Sequence, residues 1–377
     1  MRFHRWLALL GAGTLALPAP AASTERIYIG TDSRGIWLLQ LNPADGSLSR
    51  PELAADAAKP GFLAQDPSGS HLYAVGQLRP GPGLRPGECG VSAFAVSANG
   101  RLDYLNQQRS GTSVPPHLAV DASGRMLIAA DYAAGTVCAW PIRADGSLGA
   151  MSARVYDRGP VGPNRDRQRG AHPHSVTLSP DNRLAYVCDL GLDRVFTWRI
   201  DPARAGLAPD DPPFTAAPPG SGPRHSKLSP DGRFLYVVDE MGGSICVFAR
   251  DPRGALALTQ TISTLPPLFG AVNLSAEIRL DRAGRFVYAS NRGPDTLAVF
   301  ARNAANGALS LVEIVSCGGR QPRNFNLSPD GRWLVCANRA SNSVTVLRID
   351  PLTGRLRLTP FRADLNQPIC VLFSKNP

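Results

Sequence analysis

The sequence is poor in the features that announce many kinds of enzyme. Its 377 residues hold only seven cysteines, and no two of them form a CxxC pair. An odd count without close pairs argues against both a disulfide framework and a structural zinc site. Cys138, Cys188, Cys246 and Cys336 sit inside the apolar runs "TVCAW", "YVCDL", "ICVF" and "LVCAN" and read as small buried hydrophobes. Cys89 and Cys317, in less regular stretches, are left as candidates for one bridge. There is no G-x-S-x-G elbow, no H-E-x-x-H helix and no acidic calcium loop, so a serine nucleophile and an obligatory zinc are poor readings. No metal or cofactor is expected, although a lone Ca²⁺ held by scattered aspartates stays open. Basic residues outnumber acidic ones by 40 to 30, giving a formal charge of +10, but they are scattered and form no stripe interleaved with aromatics. That distribution suits solubility or an anionic small molecule, not nucleic acid.

Long apolar runs are missing too, apart from the N-terminus. There Arg2, His4 and Arg5 precede the apolar stretch from Trp6 to Leu17, which is too short to span a bilayer. Ala19-Pro20-Ala21 then supplies the small-x-small pattern that a signal peptidase accepts. Residues 1–21 read as a cleavable signal peptide with a mature start near Ala22, which implies a periplasmic or secreted protein without stable membrane insertion. Residues 22–377 are expected to form one domain.

What is present is a repeat. The phrase "QDPSGSHLYAV" at Gln65 returns as "VDASGRMLIAA" at Val120, "LSPDNRLAYVC" at Leu178 and "LSPDGRFLYVV" at Leu228, then as "LDRAGRFVYAS" at Leu280 and "LSPDGRWLVCA" at Leu327. Aligned on Ser70, Arg125, Arg183, Arg233, Arg285 and Arg332, the copies are 55, 58, 50, 52 and 47 residues apart. A period in this range with short alternating strands predicts an all-β propeller of four antiparallel strands per blade. Each phrase reads as a hairpin, followed by a third strand such as "SICVFAR" and a fourth such as "LALTQTIST". A seventh blade is assembled from the N-terminal "RIYIGTDSRGIWLLQLN" and the C-terminal "QPICVLF", closing the ring with strands from both ends.

The hairpins also locate a site. Residues equidistant from an antiparallel turn face each other, so counting outward from Gly232 pairs Arg224 with Glu240. The same count pairs Ala276 with Arg292, Arg323 with Arg339, and His174 with Leu190, next to Asp189. Ionisable residues of adjacent blades thus gather at the end opposite the Asp-Gly turns, at one mouth of the channel, where a ligand pocket is expected.

The strings that carry these residues resemble a known family. "GPNRDRQRGAHPHSVTLSPDNRLAYVCDLGLDRV", "GPRHSKLSPDGRFLYVVDE", "SAEIRLDRAGRFVYASNRG" and "QPRNFNLSPDGRWLVCANRASNSVTV" are similar to the bacterial lactonase family of seven-bladed propellers. That family includes 6-phosphogluconolactonases and is related to the fungal carboxymuconate lactonizing enzyme. The resemblance covers nearly the whole mature chain and implies catalytic roles for His174, Arg224, Glu240 and Arg292. It further matches Arg167 and Gln168 in the loop before the histidine, and His117 and Asp131 in the preceding blade. His225, Arg323, Arg339 and Asp189 complete the set expected to contact substrate.

Lactone hydrolysis needs a base for water and positive charge where the carbonyl oxygen becomes an oxyanion. Glu240 or His174 can be the base; with Arg224 opposite, Glu240 should stay ionised and read as a base, leaving His174 as proton donor. Arg224 and Arg292 can stabilise the oxyanion or clamp an anion. The reading is a metal-independent lactonase acting on an anionic or sugar-derived lactone. The same residues could run a muconate-type cycloisomerisation, or the propeller could bind a ligand or partner without catalysis. An exported chain also fits the cytoplasmic metabolite 6-phosphogluconolactone poorly.

Overall fold

Each repeated phrase folds as the inner hairpin of a four-stranded antiparallel blade. The computed structural model describes residues 24–375 except 82 and 112, so the expected signal peptide lies outside the described residues. In blade 4 the strands Pro223–Leu228, Phe234–Asp239, Ser244–Arg250 and Leu256–Ser263 follow one another in sheet order. Blades 2, 3, 5 and 6 repeat this arrangement, beginning at His117–Val120, Pro173–Leu178, Ser275–Leu280 and Pro322–Leu327. Their second strands are buried at every position, because they are covered on both faces by neighbouring blades.

Blades 1 and 7 share one seven-stranded sheet. The strand Glu52–Gln65 is the outer strand of blade 7 as far as Ala58, which pairs with Arg34. After a kink at Lys59, Pro60 and Gly61 it becomes the inner strand of blade 1, with Phe62 opposite Val75. The C-terminal strand Pro368–Phe373 pairs with the N-terminal strand Glu25–Thr31 and supplies blade 7 with its inner strand. The seven blades and the two-ended closure expected from the repeat are therefore present.

The repeated phrases have identifiable work. In the "SPDG" turns the serine hydroxyl binds the aspartate and accepts the N–H that opens the next strand, as Ser229 does from Phe234 at 3.0 Å. Blades 2 and 5 lack that serine, and Asp121 and Asp281 accept the equivalent N–H groups directly, from Met126 at 2.7 Å and from Phe286 at 2.8 Å. Blade seams are tied by a tyrosine of the second strand, whose hydroxyl donates to the glycine carbonyl of the next blade's outer turn. This joins Tyr28 to Gly100, Tyr73 to Gly146, Tyr186 to Gly254, Tyr236 to Gly307 and Tyr288 to Gly354. Gly307 has φ +76 and packs on Phe234, so an added Cβ would lie 2.3 Å from the ring. Both the conformation and the contact require glycine there.

Tyr236 also accepts a hydrogen bond from Arg302 Nε at 2.8 Å. Tyr236→Phe keeps the ring but strands the Gly307 carbonyl and the Arg302 donor, and should cost about 1–3 kcal/mol. Urea unfolding reads this as a lower midpoint; an unchanged midpoint would show that the seam bonds add nothing.

Candidate active site

The inner strands of blades 3 to 6 do not keep the symmetric register that counting from the turns implies. Pro223 pairs with Asp239 and His225 with Val238, so Arg224 is the extra residue of a β-bulge and does not face Glu240 across the hairpin. The same shift falls at His174, between the pairs Pro173–Asp189 and Ser175–Cys188, and at Arg323, between Pro322–Asn338 and Asn324–Ala337. In blade 5 it falls between the pairs Ser275–Asn291 and Ile278–Ala289, at Ala276 and Glu277. The four expected cross-strand pairings are thus not made, and Glu240, Arg292, Arg339 and Leu190 instead meet Gly222, Leu274, Gln321 and His172, two residues before the expected partners. A bulge re-aims the side chain it carries, and the displaced His174 and Arg224 meet residues that lie just past the second strands.

The meeting point is Glu240, which is 4% exposed. Its Oε2 accepts from Arg224 Nε at 2.8 Å and lies 3.0 Å from Arg292 Nη2. Its Oε1 accepts from Arg167 Nη2 at 2.5 Å. His174 Nε2 stands 3.9 Å from Oε2, too far for a direct hydrogen bond but right for a bridging water or hydroxyl. Burial alone would raise the Glu240 pKa, but the charges of Arg292 and Arg224 and the hydrogen bond from Arg167 outweigh it and hold the carboxyl far below its usual range. Glu240 is therefore ionised. A carboxylate so stabilised is a poor base, which moves its role from proton acceptor toward anchor of the arginines. Burial, with Arg292 and Arg323 nearby, lowers Arg224 to about 9, so it stays charged at neutral pH.

Beside this cluster Arg224, His225, Arg323 and Asn324 line a cavity of about 160 Å³ that also reaches Asp32 and Lys59. Phe62 and His225 in its wall belong to a cluster of rings in tilted and edge-to-face contact: Phe62 with His117 at 4.1 Å between centroids, His117 with His225 at 5.2 Å, and His225 with His174 at 5.2 Å. His225 Nδ1 donates to Glu277 Oε2 at 3.1 Å, and Glu277, fully buried, is also gripped by Arg279 and Asn324. Arg339 is ion-paired to Asp32 at 2.6 Å on the rim of the same cavity.

Three expected contact residues are occupied elsewhere. Gln168 is spent on the backbone, donating to the Leu190 carbonyl and accepting from Asn164 N, both at 2.9 Å. Asp131 accepts from Ala134 N, and Asp189 from His172 N and Leu192 N; both end second strands and hold the turn that follows. Glu277 was not singled out from the sequence, because symmetric counting puts Ala276 in the site and the bulge is invisible in "SAEI". Among the described residues no three His, Cys, Asp or Glu side chains converge as a cation-ligand set, and all seven cysteines are buried and free.

Burial lowers His117, His174 and His225 well below the ordinary histidine value, helped by the charges of Lys227 and Arg279 at His117 and of Arg224 at the other two. A depressed folded pKa means that the unfolded chain binds more protons. Each histidine's contribution is therefore complete above about pH 6.5 and declines as pH falls below it, by at most about 1.4 kcal/mol per pH unit. Asp239, pushed up to about 7 by burial, acts with the opposite sign as pH rises from its ordinary value toward 7. Comparison of wild type with His117→Gln isolates the histidine, since both carry Asp239. Between pH 6.5 and 5 the wild type should lose stability more steeply in chemical unfolding; parallel curves would show that His117 titrates normally.

Comparisons with known proteins show the family. A family model described as lactonase, 7-bladed beta-propeller, matches residues 24–373. The chain is 31% identical over 352 residues to a 6-phosphogluconolactonase of Bacillus subtilis, covering 92% of this chain and 97% of that protein. It is 29% identical over 338 residues to a 6-phosphogluconolactonase of Formosa agariphila, covering 88% and 93%. The solved structure of the Pseudomonas aeruginosa periplasmic gluconolactonase superposes with a TM-score of 0.87 at 33% identity, over 94% of this chain and 100% of that one. The family match begins where the described chain begins and ends on the strand that closes the ring, taking in every blade, and the chain belongs to the lactonase family of seven-bladed β-propellers.

Proposed function

We propose that the chain hydrolyses a sugar-derived or related lactone at the arginine-rich end of its channel, without a metal ion. The observation that carries this reading is the convergence of Arg167, Arg224 and Arg292 on the single carboxylate of Glu240, with Arg323 lining the adjoining cavity. Four guanidiniums against one carboxylate leave an excess of fixed positive charge, and a buried site makes that charge effective toward an oxyanion and the product carboxylate. The names of the relatives, 6-phosphogluconolactonase and gluconolactonase, support the same substrate class.

In this mechanism water sits between Glu240 and His174. Its oxygen bonds to the lactone carbonyl carbon while His174 Nε2 takes one of its protons, and the carbonyl oxygen becomes an oxyanion facing the arginines. When the ring C–O bond breaks, the leaving oxygen takes that proton back from His174. Glu240 fixes the arginines and orients the water through a hydrogen bond. His174, kept neutral by burial, is free to accept and return a proton. Export, argued from residues 1–21, favours an unphosphorylated lactone.

Purified mature protein should hydrolyse gluconolactone, with 6-phosphogluconolactone and carboxymuconolactone as comparison substrates, at rates unchanged by EDTA. Turnover of none of the three would overturn the proposal. Arg292→Ala should lower kcat/KM about a hundredfold or more, close to 3 kcal/mol of transition-state stabilisation. Glu240→Gln and His174→Gln should each lower turnover by about a hundredfold or more; full activity in either removes that residue from the mechanism. Mass spectrometry of protein from the periplasm of the native host should find an N-terminus within a residue or two of Ala22, and intact Met1 in the cytosol would refute export.

A further inference from the structure

The ring cluster of Phe62, His117 and His225 divides the channel, and a second cavity of about 330 Å³ lies on its far side. Lys227, Arg279 and Lys375 line it, together with Thr177 and Asn326, and no Asp or Glu does. Alternation along the inner strands builds this layer. Lys227, Arg279 and Asn326 each follow by two the residues His225, Glu277 and Asn324, so they point into the same channel one step further along.

The cations of this layer are incompletely matched. Lys227 Nζ and Arg279 Nη2 have no acceptor among the described residues. Glu277, the nearest carboxylate, already receives Arg279 Nη1 on one oxygen and His225 and Asn324 on the other. Lys375 Nζ spends its bonds on the carbonyls of Asp66 at 2.8 Å and Gln65 at 3.5 Å, which fixes it at the rim without neutralising it. Burial and the charge of Arg279 lower Lys227 to about 8, against the opposing pull of Glu277, Cys188 and Cys370. Composition sharpens the point. Of the 40 basic residues that are Lys or Arg, only three are lysines, Lys59, Lys227 and Lys375, and all three line the two cavities of the channel.

We propose that this far cavity is a second anion site, which takes a small phosphate-type oxyanion between Lys227, Arg279 and Lys375. The site is separate from the lactone-handling end and does not depend on that reading. Its ligand is either free phosphate or the phosphoryl group of a small metabolite, since the charge and the donors serve both.

The test titrates inorganic phosphate, and in a second arm glucose 6-phosphate, into wild type, Lys227→Met and Arg292→Ala by calorimetry. Lys227→Met removes a charge that repels Arg279 and leaves the stem packed, so it should fold. Phosphate should bind wild type and Arg292→Ala alike and at least tenfold more weakly to Lys227→Met; the glucose 6-phosphate arm tells a free ion from a phosphorylated metabolite. Three lysines also permit a direct readout by ¹⁵N-lysine NMR. Saturating phosphate should raise the titration midpoint of Lys227 Nζ and leave Lys59 unmoved. Absence of binding, or binding that is lost in Arg292→Ala and unchanged in Lys227→Met, would overturn the proposal by leaving the ion no site or placing it at the other end.

Discussion

One buried carboxylate holds three guanidinium groups together at the end of the channel, and the rest of the site depends on that pairing. Arg167, Arg224 and Arg292 arrive from three different blades or loops and would repel one another at such range in a dry interior. Glu240 makes their approach affordable, and it is drawn so far toward its ionised form that it gives up usefulness as a base. Removing one partner from such a cluster is more damaging than its net stabilisation suggests, because it leaves buried charge uncompensated. The arrangement trades basicity at the centre for positive charge at the cavity wall.

The architecture was legible because its signals are periodic. Turns at a nearly constant interval and strands of alternating pattern need a closed ring of blades, and the two incomplete ends needed each other to cover their edges. The identities of the main charged residues were legible as well, since they cluster in the strings on either side of each hairpin. The register was not. Symmetric counting assumes that every residue has a partner, and the bulges at His174, Arg224 and Arg323 insert one without changing the sequence pattern. The irregularity at Ala276 and Glu277 in blade 5 brings Glu277 into the channel, where counting had put Ala276.

The residues that did not join the charge cluster failed for a different reason. Asp131 and Asp189 stand at strand ends beside the channel, as ligand-binding residues do, yet each accepts a backbone N–H of the following turn, and Asp189 also accepts that of His172, just before its neighbouring strand. An acidic side chain at a tight turn satisfies the backbone first. Gln168 shows the same economy, with both ends of its amide spent on main chain. Position at the mouth is thus a weaker sign of contact with substrate than the lack of a local backbone partner.

Ring closure has a consequence for the timing of folding. Pro368–Phe373, the inner strand of blade 7, is the last strand among the described residues, and its partner Glu25–Thr31 is the first. While the ribosome is still at work, blades 3 to 6 can form hairpins, but the circle has an unpaired edge on each side until residue 373 has emerged. The nascent polypeptide therefore stays open for the whole of its synthesis, and the ring locks only when the strands Glu25–Thr31 and Pro368–Phe373 find each other.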